Sequence, residues 1–503
     1  MVEDMGYIIA YDLGTGGVKA SLHDSGLKPI AKVFIEYETF YPAADKHLQR
    51  PEDWWGGVCA ATKKLLSDSG AKPEEIACAA LSGHSLVAVP MDSEGRALQD
   101  LVPIWSDTTA APEVEDFFKR VSQEEWYLFT GNGFPAACYT LFKLMRYANL
   151  EPELFGRTRK VLGSKDYINF RLTGEMASDP SYASGSGGYR LAGGEFIEGF
   201  FDAAGLPANI FPDIVPSHTI VGRVTREAAE TCGLAAGTPI ACGGVDNACM
   251  ALGAVGGREG NVYLSLGSSS WIAVNSSSPV LDYGKKPYVF AHIAEGMYTS
   301  AFSIFSGGSS LKWARDNIFS GGGGFQELDM IADRVAPGSG GVFFNPSLAG
   351  GTSQDKSPNI RGAYIGLHLG TTRDELLRAA MEGVTLGLKL SYDFMKKHAG
   401  LGDSLLLCGG GSKSRVWLQM FADVFNIEII KTNIDQDAAS LGAAAIAARA
   451  AGLWKNYDGI ADLHNVELRC LPRPEYAKVY AEMLPKFAHV AETLADLGDA
   501  LKG

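Results

Sequence analysis

None of the 8 cysteines forms a Cys-x-x-Cys pair, and the 9 histidines make no His-Glu-x-x-His. Neither a disulfide framework nor a zinc site is therefore expected, and scattered free thiols suit a reducing cytoplasm. No Gly-x-x-x-x-Gly-Lys-Ser/Thr occurs, which excludes a Walker-type phosphate loop. Positive charge is scarce: the formal net charge is -14, against a surface built to grip nucleic acid or an anionic membrane. Any nucleotide must then be held by backbone donors, a metal and a few local cations. Long apolar runs are missing as well. The longest alanine-rich run, Ala438 to Ala448, is too short to span a bilayer and leads straight into Arg449. The opening "MVEDMG" is acidic, so no secretory signal is expected. What remains is 46% hydrophobic and 20% charged over 503 residues, the composition of a soluble globular protein with room for two or more domains.

The stretch from Tyr7 to Ser21, "YIIAYDLGTGGVKAS", predicts strand, glycine-rich turn, strand. Gly14, Gly16 and Gly17 free the backbone to aim successive N–H groups at an anion, and Thr15 adds a hydroxyl. Asp12 ends the first strand beside that turn. A carboxylate next to phosphates needs a cation between them, so Asp12 points to Mg2+ held through water or phosphate oxygens. An ordinary hairpin turn is the plain alternative. The dinucleotide fingerprint is excluded, because Lys19 occupies its third glycine position and the alternation Val18, Ala20, Leu22 continues as a strand.

Further on, a third strand is predicted over roughly 29–38, and Pro51 opens a helix that Gly70 closes, with Trp54 and Trp55 as core residues. A strand then ends at the corner Gly83–His84. Strands with a helix crossing between them imply a layered α/β domain. His84 is a candidate substrate contact at the top of that sheet, with a structural histidine as the bland reading. In "LVPIWSDTTA", Trp105 and Asp107 suit a polyhydroxylated ligand, the ring covering C–H faces and the acid accepting O–H groups. Asp107 as a helix N-cap is nearly as good a reading. The run "KDYINFRLTGEMASDPSYASGSGG" predicts a helix ending at Gly174 and a loop that serves as surface connection or active-site wall.

A second half begins near "GTPIACGGVDNACMALGAVGG", where Asp246 and Asn247 start a helix of small residues that Gly253, Gly256 and Gly257 end. About half the chain beyond the first hairpin, "NVYLSLGSSSWIAV" repeats its pattern, with Gly267, Ser268 and Ser269 at the turn and Ser265 where Asp12 stood. Two halves that open alike imply two related lobes sharing a nucleotide. Glycine corners at Gly308 in "FSGGSSLKW" and at Gly409–Gly411 in "CGGGSKS" lead into helices, the second letting adenine or ribose lie close to backbone. Asp435 and Asp437 are expected to cap the helix that follows and to complement its dipole. Beyond residue 452 a helical tail is expected.

Together these motifs resemble the FGGY carbohydrate kinases of the actin/hexokinase/Hsp70 ATPase superfamily, nearest their xylulokinase-like branch. The most specific piece is Gly362–Glu382, "GAYIGLHLGTTRDELLRAAME"; "DLGTGGVKA", "SDPSYAS", "GGVDNACMALGA", "SLGSSSW", "CGGGSKS" and "AASLGAAA" occur in family order. The resemblance implies an α/β fold of two ribonuclease-H-like, actin-like ATPase lobes with a cleft between them. It places the sugar mainly on an N-terminal lobe, 1–240, and ATP mainly on a C-terminal lobe, 241–503. It makes Asp246 the catalytic base, of low pKa at its helix start, and Asp12 the acid near Mg2+ and the phosphates, with Asp246 a second metal neighbour, through water. Gly14–Gly17, Gly267, Ser268, Ser269 and Gly308 would face phosphates, and Gly409, Gly410, Gly411 and Ser412 the nucleotide. His84, Trp105, Asp107 and Asn247 would line the sugar site.

Three departures stand out: His84 at the family glutamine with Leu86 at its histidine, Thr109 at an arginine, and Arg146 at a tryptophan; the first two fall on that sugar site. The expected activity is ATP-dependent phosphorylation of a ketopentose-like sugar in the cytoplasm. A polyol kinase of the glycerol or erythritol type, or a non-catalytic nucleotide-binding sensor, are the alternatives. A sugar or polyol is the expected partner, with no nucleic acid and no membrane. Frequent pairing among family relatives is the sole basis for expecting a homodimer.

Overall fold

The computed structural model describes residues 6–319 and 324–502. The chain divides into two units, Met1–Gly257 with Val289–Thr299 and Asp437–Leu463, and Arg258–Tyr288 with Ser300–Gln436 and His464–Gly503.

In the first unit, β1 (Tyr7–Gly14), β2 (Gly17–His23) and β3 (Pro29–Glu36) form an antiparallel meander. Helix α1 (Pro51–Ser69) crosses back, so that β4 (Ile76–Gly83) lies parallel to β1 on its other side. The alternation of β1 decides its two faces: Ile9, Tyr11 and Leu13 pack in one core with Trp54, Val58 and Leu65 of α1, and Tyr11 shares a 2.6 Å hydrogen bond with Thr62. Each such large side chain contributes roughly 1.5–3 kcal/mol by leaving water. Helix α1 begins on Pro51 and ends on Gly70 at φ 73, as its sequence predicts. Helix α2 (Ser164–Thr173) and β5 (Pro239–Ala241), parallel to β4, complete the layer before α3 (Asp246–Val255).

The second unit repeats the device. Strands β6 (Val262–Leu266) and β7 (Ser270–Ser276) pair as a hairpin, with β8 (Tyr298–Ile304) beside β7. After α4 (Gly308–Ile318) and the long α5 (Arg373–His398), β9 (Ser404–Cys408) lies parallel to β6. Helix α6 (Arg415–Phe425) then leads to β10 (Glu428–Thr432), parallel to β9. The order β3-β2-β1-β4-β5 in one sheet thus matches β8-β7-β6-β9-β10 in the other, the repeat that the two glycine turns announce.

Helix α7 (Ala438–Ala450) returns to the first unit, where it packs on α3, β1 and β4. Gly253 lies inside α3, at that crossing, and Gly256 is the residue that ends the helix. The first unit therefore runs past residue 240, because α3 shares its core with α7. The chain after 452 holds one more strand, β11 (Val466–Cys470), antiparallel to β10, before α8 (Pro474–Lys502). Its five residues, "VELRC", alternate apolar and charged, but only Cys470 is buried.

The signature run reads here as an ion cluster. Arg378 and Glu382, one turn apart on α5, are buried; Arg378 donates from Nε to Glu382 Oε1 (2.9 Å), from Nη1 to the Ala332 carbonyl (2.8 Å) and from Nη2 to Tyr480 Oη (2.8 Å). Glu382 also accepts from Tyr480 Oη (2.8 Å), from the Gly338 N–H (2.9 Å) and from Ser339 Oγ (2.8 Å). Removing one charge leaves the other buried without its partner. Glu382→Gln is expected to cost about 2–3 kcal/mol, read as a lower urea midpoint; an unchanged midpoint would show that the cluster does not support the fold.

Candidate active site

In the first unit, β1 and β4 run side by side with Asp12 in register with Ser82. Ser82 Oγ donates to Asp12 Oδ1 at 2.8 Å. Burial pushes the Asp12 carboxyl up, while Ser82 and the neighbouring Lys19 act the other way. Asp246, half-buried at the start of α3, accepts the Asn247 N–H at 2.8 Å. Its carboxyl is pushed up to about 7, by burial first and by the charge of Asp12 second, against the lowering effect of the Asn247 N–H. The low pKa expected from the helix start is thus overturned: a helix end lowers an acid by a fraction of what burial beside a second carboxylate raises it.

The turn between β1 and β2 is pinned from below. Tyr37 Oη donates to the Gly14 carbonyl (2.6 Å), while Thr39 Oγ1 and Gln49 Nε2 both donate to the Thr15 carbonyl (2.7 Å each). Gly17 is required there, since a Cβ would sit 2.5 Å from the Ile35 carbonyl; none of the turn's other glycines is so confined. Trp105, 37% exposed, donates from Nε1 to Thr15 Oγ1 at 3.0 Å, which brings its loop to the same turn.

His84 is buried edge-on against Trp54. Its Nδ1 donates to the Leu13 carbonyl at 3.2 Å, which leaves Nε2 as a lone-pair acceptor with no partner among the described residues. Burial pushes the ring down to about 4, so it is neutral at physiological pH. Asp107 is neither exposed nor a helix cap: Oδ2 accepts the His47 N–H (2.9 Å) and Oδ1 accepts Thr109 Oγ1 (2.6 Å) and N–H (3.2 Å), while the next helix starts at Ala111. Thr109 thereby holds the acid that precedes it. Arg146 pairs with Glu113 at 3.5 Å. Leu86, at φ 61, occupies a conformation rare for a branched side chain.

Sequence reasoning passed over Lys143. Buried, it donates from Nζ to the carbonyls of Leu86 (2.7 Å) and Ile104 (2.6 Å), tying the His84 corner to the Trp105–Asp107 loop. Only its place in a strongly apolar helix signalled it. The Ser178–Ser186 stretch, expected at the surface or as a wall, is largely buried.

In the second unit three corners meet. The carbonyls of Gly267 and Ser268 accept the N–H groups of Gly308 (2.7 Å) and Ser309 (3.1 Å), and a Cβ on Gly308 would lie 2.6 Å from the Gly267 oxygen. Ser269 closes the turn by accepting the Gly267 N–H at 3.0 Å. Gly409, at φ 91, and Gly411 press against Leu266, just before that turn, with Gly410 between them. Asp435 corrects the capping expectation. Its Oδ1 accepts the Gly409 N–H at 2.6 Å and lies 3.4 Å from the hydroxyl of buried Ser412, while Asp437 pairs with Lys32 and makes no side-chain cap. Strand β9 delivers a left-handed glycine whose N–H needs an acceptor, and the acid across the loop supplies it.

Residues 7–253 match the FGGY family of carbohydrate kinases, N-terminal domain, and residues 262–451 its C-terminal domain. The chain belongs to the FGGY family of carbohydrate kinases. It is 29% identical over 499 residues to a xylulose kinase of Bacillus subtilis (strain 168), covering 99% of both chains. It is 26% identical over 499 residues to a gluconokinase of the same organism, covering 97% of this chain and 96% of that one. A xylulose kinase structure from Rhodospirillum rubrum superposes with a TM-score of 0.89 at 27% identity, over 98% of this chain and 100% of the other. This FGGY kinase is thus a sugar phosphotransferase of a family that uses ATP. Among the described residues no helix is long and apolar enough to cross a membrane.

The residues present fit Mg2+. Among the described residues no cluster of three or more metal-ligating side chains occurs, but the charge of Asp12 reaches Asp246 and raises its carboxyl. Mg2+ binds through one or two carboxylates plus phosphate and water. Asp246 also sets a pH dependence. Its folded pKa lies above the unfolded value, so its contribution to stability is full below about pH 4 and is lost as pH rises through about 7. In metal-free buffer the Tm of the FGGY kinase is expected to fall between pH 5 and 8, and to fall less in Asp246→Asn; equal slopes in the two proteins would refute the assignment.

Proposed function

We propose that this FGGY kinase transfers the γ-phosphate of ATP to a hydroxyl of a ketopentose-like sugar, with Asp246 as the base. The observation that carries the reading is the pair of acids on adjoining elements, Asp246 at the head of α3 and Asp12 at the end of β1, beside the pinned Gly14–Gly17 turn. Phosphoryl transfer passes through a loose transition state, so the protein's task is to aim the hydroxyl and balance charge. Asp246 orients that hydroxyl and takes its proton late. Asp12 and Asp246 would hold Mg2+ through water, and the ion would neutralise charge on the phosphates. The first unit takes the sugar. Gly267–Ser269, Gly308 and Gly409–Ser412 of the second take the nucleotide.

Sugar class rests on two supports. The B. subtilis relative is a xylulose kinase. His84 carries a neutral ring whose Nε2 is a buried acceptor without a partner among the described residues, a group that suits a hydroxyl and disfavours a carboxylate. The gluconokinase relative makes an aldonate the second reading. Trp105 covers C–H faces and Asn247 reads hydroxyls, while Asp107, itself buried, holds the Trp105 loop through His47 and Thr109. ATP-dependent ADP release over ketopentoses, pentitols, tetritols, glycerol and gluconate tests this. Turnover highest with a ketopentose is expected; turnover confined to gluconate or to polyols would overturn the sugar class.

A further inference from the structure

The segment Cys242–Val245 delivers Asp246 to the site, and it is held on two sides. On one side Gly244 and Val245 pair with Ser82 and Gly83 of β4, the strand whose Ser82 also bonds Asp12. Gly243, at φ 78, crosses so close that a Cβ would lie 2.1 Å from the Leu81 carbonyl. On the other side stands a fully buried group of charges that the phosphoryl transfer does not use. Lys165 Nζ lies 2.6 Å from Asp166 Oδ1 and 3.1 Å from Asp179 Oδ1.

Two of the three charges, Lys165 and Asp179, reach the segment by separate bonds. Lys165 Nζ donates to the Cys242 carbonyl (3.3 Å), which also accepts Asn169 Nδ2 (2.8 Å). Asp179 Oδ2 accepts the hydroxyls of Ser217 (2.9 Å) and Ser181 (2.5 Å). The Ser217 carbonyl in turn accepts the Gly243 N–H (3.0 Å), and Ser181 Oγ accepts the Val245 N–H (3.0 Å). Asp166 differs: its second oxygen receives Ser178 Oγ (2.8 Å) and the Gly163 N–H (3.3 Å), both away from the segment.

We propose that Lys165, Asp179 and Ser181 are positioning residues that fix the backbone entering α3, and through it the aim of Asp246. Burying three charges is costly and adds little to stability that apolar packing would not; what they supply is a backbone that cannot shift. The inference rests on the reading of Asp246 as the base. A misplacement of the order of 1 Å at such a group lowers turnover by up to about a hundredfold.

The test compares Ser181→Ala, Ser181→Thr and Ser178→Ala with the intact chain and with Asp246→Asn. Both alanine variants strip one hydroxyl from a buried carboxylate of the triad, but Ser181 alone also accepts an N–H of the segment, the bond that the comparison isolates. With ketopentose or gluconate, whichever turns over faster, Ser181→Ala is expected to lower kcat about tenfold or more with both KM values within about twofold. Ser181→Thr is expected to recover most of that loss and Ser178→Ala to leave kcat within about twofold. Hydrogen exchange read by mass spectrometry is expected to speed up at Val245–Ala248 in Ser181→Ala and not in Ser178→Ala, a readout independent of substrate. A Ser181→Ala kcat within about twofold of the intact chain, or an equal fall in Ser178→Ala, overturns the inference. If Asp246→Asn keeps its turnover, the base assignment fails instead, and exchange at Val245 alone then decides whether Ser181 holds the segment.

Discussion

Asp246→Asn is expected to lower kcat about a thousandfold or more, while ATP still binds and the fold is no weaker. A general base contributes roughly 10²–10⁴ to rate, and here the same group aims the hydroxyl. The amide preserves shape but neither takes a proton nor carries charge. Because burial and Asp12 push the Asp246 carboxyl up to about 7, removing its charge relieves a repulsion that the intact protein carries at pH 8. The variant is therefore expected to melt at a higher temperature there, in metal-free buffer, than the chain it replaces. Loss of turnover with a gain in Tm is the pattern of a group held for chemistry rather than for stability. Initial rates of ADP release, ATP titration and thermal melts on the same preparations check all three expectations. A variant retaining a tenth or more of the intact turnover would remove Asp246 from the role of base.

The second hairpin was legible in the sequence because a strand, a small-residue turn and a strand recur in order, and local pattern is what a sequence displays most directly. Helix α1 was legible for the same reason, with Pro51 and Gly70 as its end marks. Asp435 was misread because its partner, the Gly409 N–H, is brought near only by folding; an acid before a helix looks the same whether it caps that helix or another loop. The pKa of Asp246 was misread because the helix start is visible in the sequence and the neighbouring Asp12, more than two hundred residues earlier, is not. Strand β11, "VELRC", was missed although it alternates, because five residues of alternation ahead of a long helix are a weak signal. Lys143 and Lys165 looked like ordinary charges within helices, and only burial shows that each is spent on backbone carbonyls.

The largest loss of stability is expected at Gly253. There α3 and α7 cross so closely that a Cβ on Gly253 would lie 1.8 Å from the Ala438 carbonyl oxygen, and one on Gly442 would lie 2.0 Å from the Cys249 carbonyl oxygen. Overpacking of a core usually costs roughly 1–3 kcal/mol because side chains swing aside. Here the atoms struck are helix backbone, which moves only with its whole element. Gly253→Ala is therefore placed at the upper end of single-residue effects, about 4 kcal/mol or more, which in a unit of this size lowers Tm by roughly 10 °C. Gly442→Ala meets the same crossing from the other side and should cost a similar amount. Their effects should not add: once the helices part to admit one methyl, the second has room, so the double variant is expected close to the worse single one. Because α3 carries Asp246 at its head, kcat should fall well below the unfolding range. Strict additivity in denaturant melts would show that the two glycines do not share one contact and that α7 does not set the height of α3.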